Sequence, residues 1–118
     1  MSADAPSRTD AITHLQQRIR DFSEARDWQS FHIPRNLAMS IAIEAGELME
    51  HFQWERDGDS GEVDATTRAD IAAEAADIFI YLLRFCDVLD IDLADATHRK
   101  MDENLQRFPV ERVKGRLP

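Results

Sequence analysis

An all-α fold, a four-helix bundle, is the architecture this sequence predicts, and three observations carry it. Apolar residues recur at three- and four-residue intervals through four successive segments, the repeat of an amphipathic helix. No segment shows the two-residue alternation of a half-buried strand, and there is no internal repeat. The breaks between segments are polar and carry prolines, glycines or acids of the kind that start and stop helices.

Residues 1–8 have no apolar pattern and read as a disordered lead-in. From about Thr9 to Asp27, Ile12, Leu15, Ile19 and Phe22 form the stripe of a first helix. Trp28 to Pro34 is a connector. Pro34 suits the first turn of the next helix, where its missing N–H would have no partner anyway. That second helix is expected to reach about Trp54, with Leu37, Ile41, Ala45, Leu48 and Phe52 on one side. Residues 55–64, ERDGDSGEVD, hold two glycines and five acids and read as an exposed loop. Asp64 or Thr66 can cap a third helix running to about Leu89, with Ile71, Ala75, Ile78, Leu82, Phe85 and Leu89 as its stripe. Asp92 caps a fourth, with Asp95 near its positive dipole end, and that helix stops before Pro109. The domain is thus expected over residues 9–109, followed by a mobile basic tail over 110–118.

A chain of 118 residues makes one domain. Its 43% apolar content supports only a small core for helices this long, so an oligomer whose interface completes the core is expected. With 14 basic against 23 acidic residues the net charge is −9, which disfavours a nucleic-acid polymer as partner. A mononucleotide stays compatible, because metal ions can hold its phosphates. The single Cys86 allows no internal disulfide and fits a reducing compartment. No stretch approaches the roughly 20 apolar residues of a membrane span, and the N-terminus has no signal-peptide core. A cytoplasmic location is the simplest expectation.

The most informative residues are two acidic pairs inside apolar, helix-forming runs: Glu44-x-x-Glu47 and Glu74-x-x-Asp77. Residues three apart share a helix face, so each pair holds two like charges side by side. On a helical wheel Glu47, Ser40 and His51 lie within about 60° of Glu44, to one side of the core stripe. Asp77, Asp70 and Tyr81 stand likewise to Glu74. Packed antiparallel, the two helices would bring four carboxylates to one half-buried seam. A hard divalent cation, which prefers oxygen ligands, is the natural way to tolerate them. A single Glu-x-x-Glu would read as a solvated face; two pairs in matching register favour the cation.

Other residues are less telling. Trp28 and Trp54, taken alone, read as core or interface packing, whereas Tyr81 shares the acidic stripe. Lys100, Asn104 and Arg107 recur at helical spacing and fit a solvated face. Cys86 sits on the apolar flank as a buried thiol, and His51 borders the acids as a structural histidine. Arg35 and Arg84 could reach phosphates, with surface pairing as the alternative. Gly46 has the small size that permits close helix approach. A ferritin-like di-iron site would need Glu-x-x-His, whereas Glu47 and His51 are four apart.

Taken in order, Trp28-x-x-Phe31-His32-x-Pro34-x-Asn36, Glu44-Ala-Gly-Glu-Leu48, Phe52-Gln-Trp54 and Glu74-x-x-Asp77-x-x-x-Tyr81 resemble the all-α nucleoside triphosphate pyrophosphohydrolases of the MazG-like superfamily, and among them the dCTP pyrophosphatases. KMDENLQRFP, residues 100–109, resembles the end of that family's core, so the likeness spans about residues 10–109. One departure is Ala73, where many such proteins carry an acid. The resemblance implies Mg²⁺-dependent hydrolysis of a dNTP between its α- and β-phosphates, to the monophosphate and pyrophosphate, with Mn²⁺ as a substitute ion. Glu44, Glu47, Glu74 and Asp77 would hold the metal, with Glu47 as candidate base. Trp28, His32, Trp54 and Tyr81 would receive the base, and Lys100 and Asn104 would touch phosphate or sugar. A homotetramer built as a dimer of dimers is implied as well. A pyrophosphohydrolase of other base preference, for dUTP or a broad NTP range, and a non-catalytic nucleotide-binding helical oligomer remain the alternatives.

Overall fold

A computed structural model describes residues 8–56 and 58–117. Five helices follow one another: α1 (Arg8–Ala25), α2 (Pro34–Glu50), α3 (Ala65–Val88), α4 (Leu93–Arg107) and a single turn, α5 (Val110–Val113). No strand occurs among the described residues. The expected lead-in lies outside them except for Arg8, which opens α1. Within the expected tail, Val110–Val113 are helical behind Pro109.

Local chemistry sets the boundaries. Pro34 opens α2, and the Asp64 side chain accepts a hydrogen bond from the Thr67 amide (2.8 Å) to cap α3. Asp92 does the same for α4 through the Asp95 amide at 3.0 Å. Helices α1 and α3 end alike. Asp27 (φ 53°) and Asp90 (φ 56°) take the left-handed conformation usually given to glycine. The amides of Trp28 and Ile91 then reach back five residues to the carbonyls of Ser23 and Cys86, at 3.1 and 2.8 Å. The first of these reversals delivers Trp28 and the connector to the start of α2. Helix α2 stops at Glu50, four residues short of the expected Trp54, because His51 and Phe52 switch to three-residue hydrogen bonds that tighten the last turn.

The packing is built around α3. Gln16 Nε2 donates to the Leu83 carbonyl (3.1 Å) and Arg20 binds Asp87, so α1 and α3 run parallel, offset by a constant 67 residues. On the other side His32 pairs with Arg84 and His51 with Glu74, so α2 runs antiparallel to α3. Helix α4 leans on α1 through a small contact. Leu83 and Leu37 are the fully buried large side chains, joined by Cys86, Ala94, Ser23 and Arg84. The burial of Cys86 also pushes its thiol pKa up.

The expected stripes are only half covered. Ile41, Leu48, Ile71, Ile78, Leu82 and Phe85 are half-buried, while Ala45, Phe52, Ala75 and Leu89 are exposed. The physical reason is that the α2–α3 pair is walled by α1 on one side alone. A radius of gyration of 18.1 Å records the same openness. A compact chain of this length would have about 13.5 Å. Around Gly46 an added methyl group would meet no atom within 4 Å, so the expected close helix approach is not made within this chain.

Replacing the fully buried Leu83 with Ala is expected to lower unfolding free energy by about 2–5 kcal/mol. Urea unfolding followed by circular dichroism measures it; a loss under about 1 kcal/mol would place the core elsewhere.

Candidate active site

The antiparallel register of α2 and α3 brings the acidic pairs together. One carboxylate oxygen each from Glu44, Glu74 and Asp77 lies within 4.8 Å of the others. Glu47 stands beside them, near enough to exchange a hydrogen bond with Glu44 or Glu74 when one of them holds a proton. Glu44 Oε2 and Glu74 Oε2 are buried and have no hydrogen-bond partner. Loss of solvent pushes the Glu44 carboxyl above its ordinary value, and the hydrogen bond and charge of Glu47 and the charges of Asp77 and Glu74 push it further. Glu74 is raised by the same desolvation and by Glu47, against an opposing pull from His51. His51 Nε2 lies 3.9 Å from Glu74 Oε1, beyond hydrogen-bond length, so it joins an ion pair only when protonated. Oxygen donors alone, clustered and unpartnered, fit a hard divalent cation.

One helical turn away, a cavity of about 390 Å³ opens between Trp28, Phe31, His32, Asn36, Leu37, Ser40 and Tyr81. Ser40 precedes Glu44 by four residues and Tyr81 follows Asp77 by four, so the same two helices floor the cavity and carry the acids, about 6 Å apart along each axis. The Trp28 ring meets His32 edge-on at 6.0 Å and Phe22 edge-on at 5.6 Å. Asn36 Nδ2 donates to the Phe31 carbonyl at 3.1 Å, which ties the connector to the first turn of α2.

Of the residues singled out in the sequence, the fold gathers Glu44, Glu47, Glu74 and Asp77 in one cluster and Trp28, His32 and Tyr81 in the neighbouring cavity. Trp54, Lys100 and Asn104 do not line that cavity. Trp54 is 84% exposed beyond the end of α2, and Lys100 pairs with Glu103 at 3.3 Å on the outer face of α4. Arg84 neither stands open to phosphates nor pairs at the surface: it is buried and bonded to Asp87 on its own helix and to His32 of the connector that packs against α3. Phe31 and Asn36 also line the cavity, and their place in the Trp28–Asn36 motif does not by itself show that. Arg20 and Asp87 were missed; only the three-residue spacing of Arg84 and Asp87 hinted at a pair.

Residues 39–116 match the MazG-like family. The chain belongs to it. Among relatives, dCTP pyrophosphatase 1 of Rattus norvegicus is 40% identical over 106 residues, covering 88% of this chain and 62% of that protein. The Homo sapiens protein of the same name is 41% identical over 101 residues, 84% and 59% of the two chains. The chain therefore spans about three-fifths of the length of these relatives. A crystal structure of a pyrophosphatase from Archaeoglobus fulgidus superposes with a TM-score of 0.81 at 38% identity, covering 92% of this chain and 99% of that one. In this MazG-like chain the acid cluster falls at the α2–α3 seam, and Ala73 leaves no carboxylate just before Glu74.

The raised Glu74 carboxyl has a stability consequence. Its favourable contribution is complete below the ordinary value of 4.5 and is lost as pH rises through the raised folded value. Once ionised, Glu74 therefore leaves the fold less stable than its protonated form does. Glu74→Gln is expected to melt higher than the native protein in EDTA at pH 7.5 by differential scanning fluorimetry. An equal or lower midpoint would mean the cluster is not under charge strain.

Proposed function

We propose that this chain is a Mg²⁺-dependent nucleoside triphosphate pyrophosphohydrolase that favours dCTP or a modified dCTP. It would cleave between the α- and β-phosphates and release dCMP and pyrophosphate, as nucleotide-pool housekeeping. The observation that carries the reading is a set of unpartnered, half-buried carboxylates one helical turn from an aromatic cavity. The printed names of the dCTP pyrophosphatase relatives point to the same substrate.

Glu44, Glu74 and Asp77 would hold the cation, with Glu47 completing the set, and Mn²⁺ would substitute. When bound, Mg²⁺ neutralises triphosphate charge and lowers the pKa of water. Glu47, which lies outside the tightest trio, is the carboxylate least committed to the cation and would take a proton from the attacking water. Trp28 and Tyr81 offer ring faces to a base, and His32, Asn36 and Ser40 offer polar atoms to its edge. Fixed carboxylates and a preformed cavity hold the reacting groups in line, and positioning supplies most of the acceleration in phosphoryl chemistry.

We further propose that the working form is a homotetramer, a dimer of dimers. The apolar side chains Met39, Ile43 and Met49 on α2 are 54–66% exposed, and the isolated chain leaves much of its apolar surface uncovered around a small core. Trp54, Lys100 and Asn104, which stand away from this chain's own cavity, would then reach a site across a subunit interface. The composition, with Cys86 as a lone buried thiol, suits the cytoplasm. No helix among the described residues is long and apolar enough to cross a membrane.

In a pyrophosphate-release assay over the canonical dNTPs, NTPs and 5-methyl-dCTP, cleavage should centre on the cytosine deoxynucleotides and vanish with EDTA. Glu47→Gln and Asp77→Asn should each lose at least about 100-fold in kcat while keeping helicity. Wild-type turnover in both would sink the metal assignment, and turnover centred on another base would sink the pocket assignment alone.

Light scattering during size exclusion should return four times the 13.5 kDa chain mass. A monomer would remove the subunit-sharing role of Trp54, Lys100 and Asn104.

A further inference from the structure

His32 is held from behind. Arg84 Nε lies 3.0 Å from His32 Nδ1, and a guanidinium nitrogen is always a donor. The imidazole nitrogen facing it must therefore offer its lone pair. A neutral ring that accepts at Nδ1 carries its proton at Nε2. His32 Nε2 has no protein partner among the described residues and is not sealed away, and the ring lines the cavity. The groups around the ring are Arg84 and Tyr81 of α3 and Trp28 of the connector; no carboxylate pairs with it among the described residues.

Arg84 is itself fixed. Its side chain is 8% exposed, and Nη1 reaches Asp87 Oδ2 at 3.4 Å. Asp87 is gripped from α1 by Arg20, through Nη2 to Oδ1 at 2.6 Å and Nε to Oδ2 at 2.9 Å, a two-point clasp that fixes the carboxylate plane. The clasp raises Arg20 still higher, through its hydrogen bond to Asp87 and then the charge. Four residues thus form one line from α1 through α3 to the connector: Arg20, Asp87, Arg84, His32. Burial first, and the Arg84 charge second, hold His32 below its ordinary value, in keeping with a neutral ring.

We infer that Arg84, clamped by Asp87 and Arg20, is a positioning residue that locks His32 as the Nε2–H tautomer, so that the cavity presents a hydrogen-bond donor and no acceptor at that point. Resting on the nucleotide reading above, the lock selects a base edge with an acceptor. Cytosine offers one at N3, where uracil and thymine carry an N–H. Where N3 faces His32, the donor favours cytosine over the other pyrimidines, whose N3–H would meet N–H with N–H; O2, an acceptor on every pyrimidine, would not discriminate.

Imidazole ¹⁵N–¹H spectra of the full-length protein, labelled at histidine, test this without any variant. At pH 7, His32 should show an unprotonated Nδ1 and a protonated Nε2. A proton on Nδ1, or a doubly protonated ring, would overturn the lock. Adding dCMP should shift the Nε2–H resonance; an unmoved resonance in protein that turns over dCTP would overturn the recognition role and leave the proposed function standing. A locked ring that responds to dCMP in protein with no dNTP turnover would uphold the inference and sink the proposed function instead. Arg84→Met should give a mixture of tautomers and a ring whose titration moves up but stays below its ordinary value, because burial, the larger cause, remains. It should also raise KM for dCTP about tenfold with kcat within about twofold, and narrow the preference for dCTP over dUTP. Arg84→Lys, which keeps the charge but not the Nε fork, guards against misfolding and should show the same tautomer mixture. A wild-type tautomer pattern in both variants would overturn the role of Arg84.

Discussion

Carboxylates that converge without partners are the constraint on which the rest of this structure turns. Glu44 and Glu74 bury an oxygen each with nothing to bond to, and Glu47 and Asp77 add like charge beside them. A fold under selection for stability alone would separate such groups or pair them with cations. Here the buried Arg84 is committed elsewhere, bound together with the partly exposed Arg20 to Asp87. His51, at 3.9 Å, gives only partial relief. The α2–α3 seam is therefore held in a state that a cation of complementary charge would complete.

The seam also explains where the cavity sits. Because α2 and α3 are antiparallel, each acidic pair has a cavity residue one turn along at the same end of the seam: Ser40 before Glu44 and Tyr81 after Asp77. The remaining wall comes from the connector, turned back by the left-handed Asp27 so that Trp28, Phe31 and His32 fold over the start of α2. A site for charged oxygens and a site for a flat ring are thus products of one helix pair and one chain reversal, the first mounted on regular helices and the second on those helices and a hydrogen-bonded connector.

Two kinds of buried charge serve opposite ends in this molecule. The acid cluster is left electrostatically unsatisfied. The Arg20–Asp87–Arg84 group is satisfied, and its outer member grips from a partly exposed position on α1. That second group fastens α1 to α3 and fixes the ring of His32, so a structural tie and a property of the cavity rest on the same hydrogen bonds.

Helical periodicity and cap chemistry were sufficient for the element order. The 3.6-residue repeat, Pro34, Asp64 and Asp92 are local signals, and the helices they predict are present. The acid pairs were legible for the same reason: three-residue spacing puts both members on one face, and two such faces in matching register admit one convergent packing. The motif from Trp28 to Asn36 marked the cavity wall, although the separate roles of Phe31 and Asn36 did not show. What the sequence could not reveal depends on packing over 52 to 67 residues of separation. Asp87 meets Arg20 only when α1 is laid along α3, and Arg84 meets His32 only when the connector and α2 pack on the other side of α3. Periodicity also overstated the core, because it reports which face of a helix is apolar and not whether this chain supplies something to cover it. Sequence determined the helices and the faces that carry the acids; tertiary structure alone decided which charges are paired and which are left open, since pairing is set by distances between helices that no local pattern encodes.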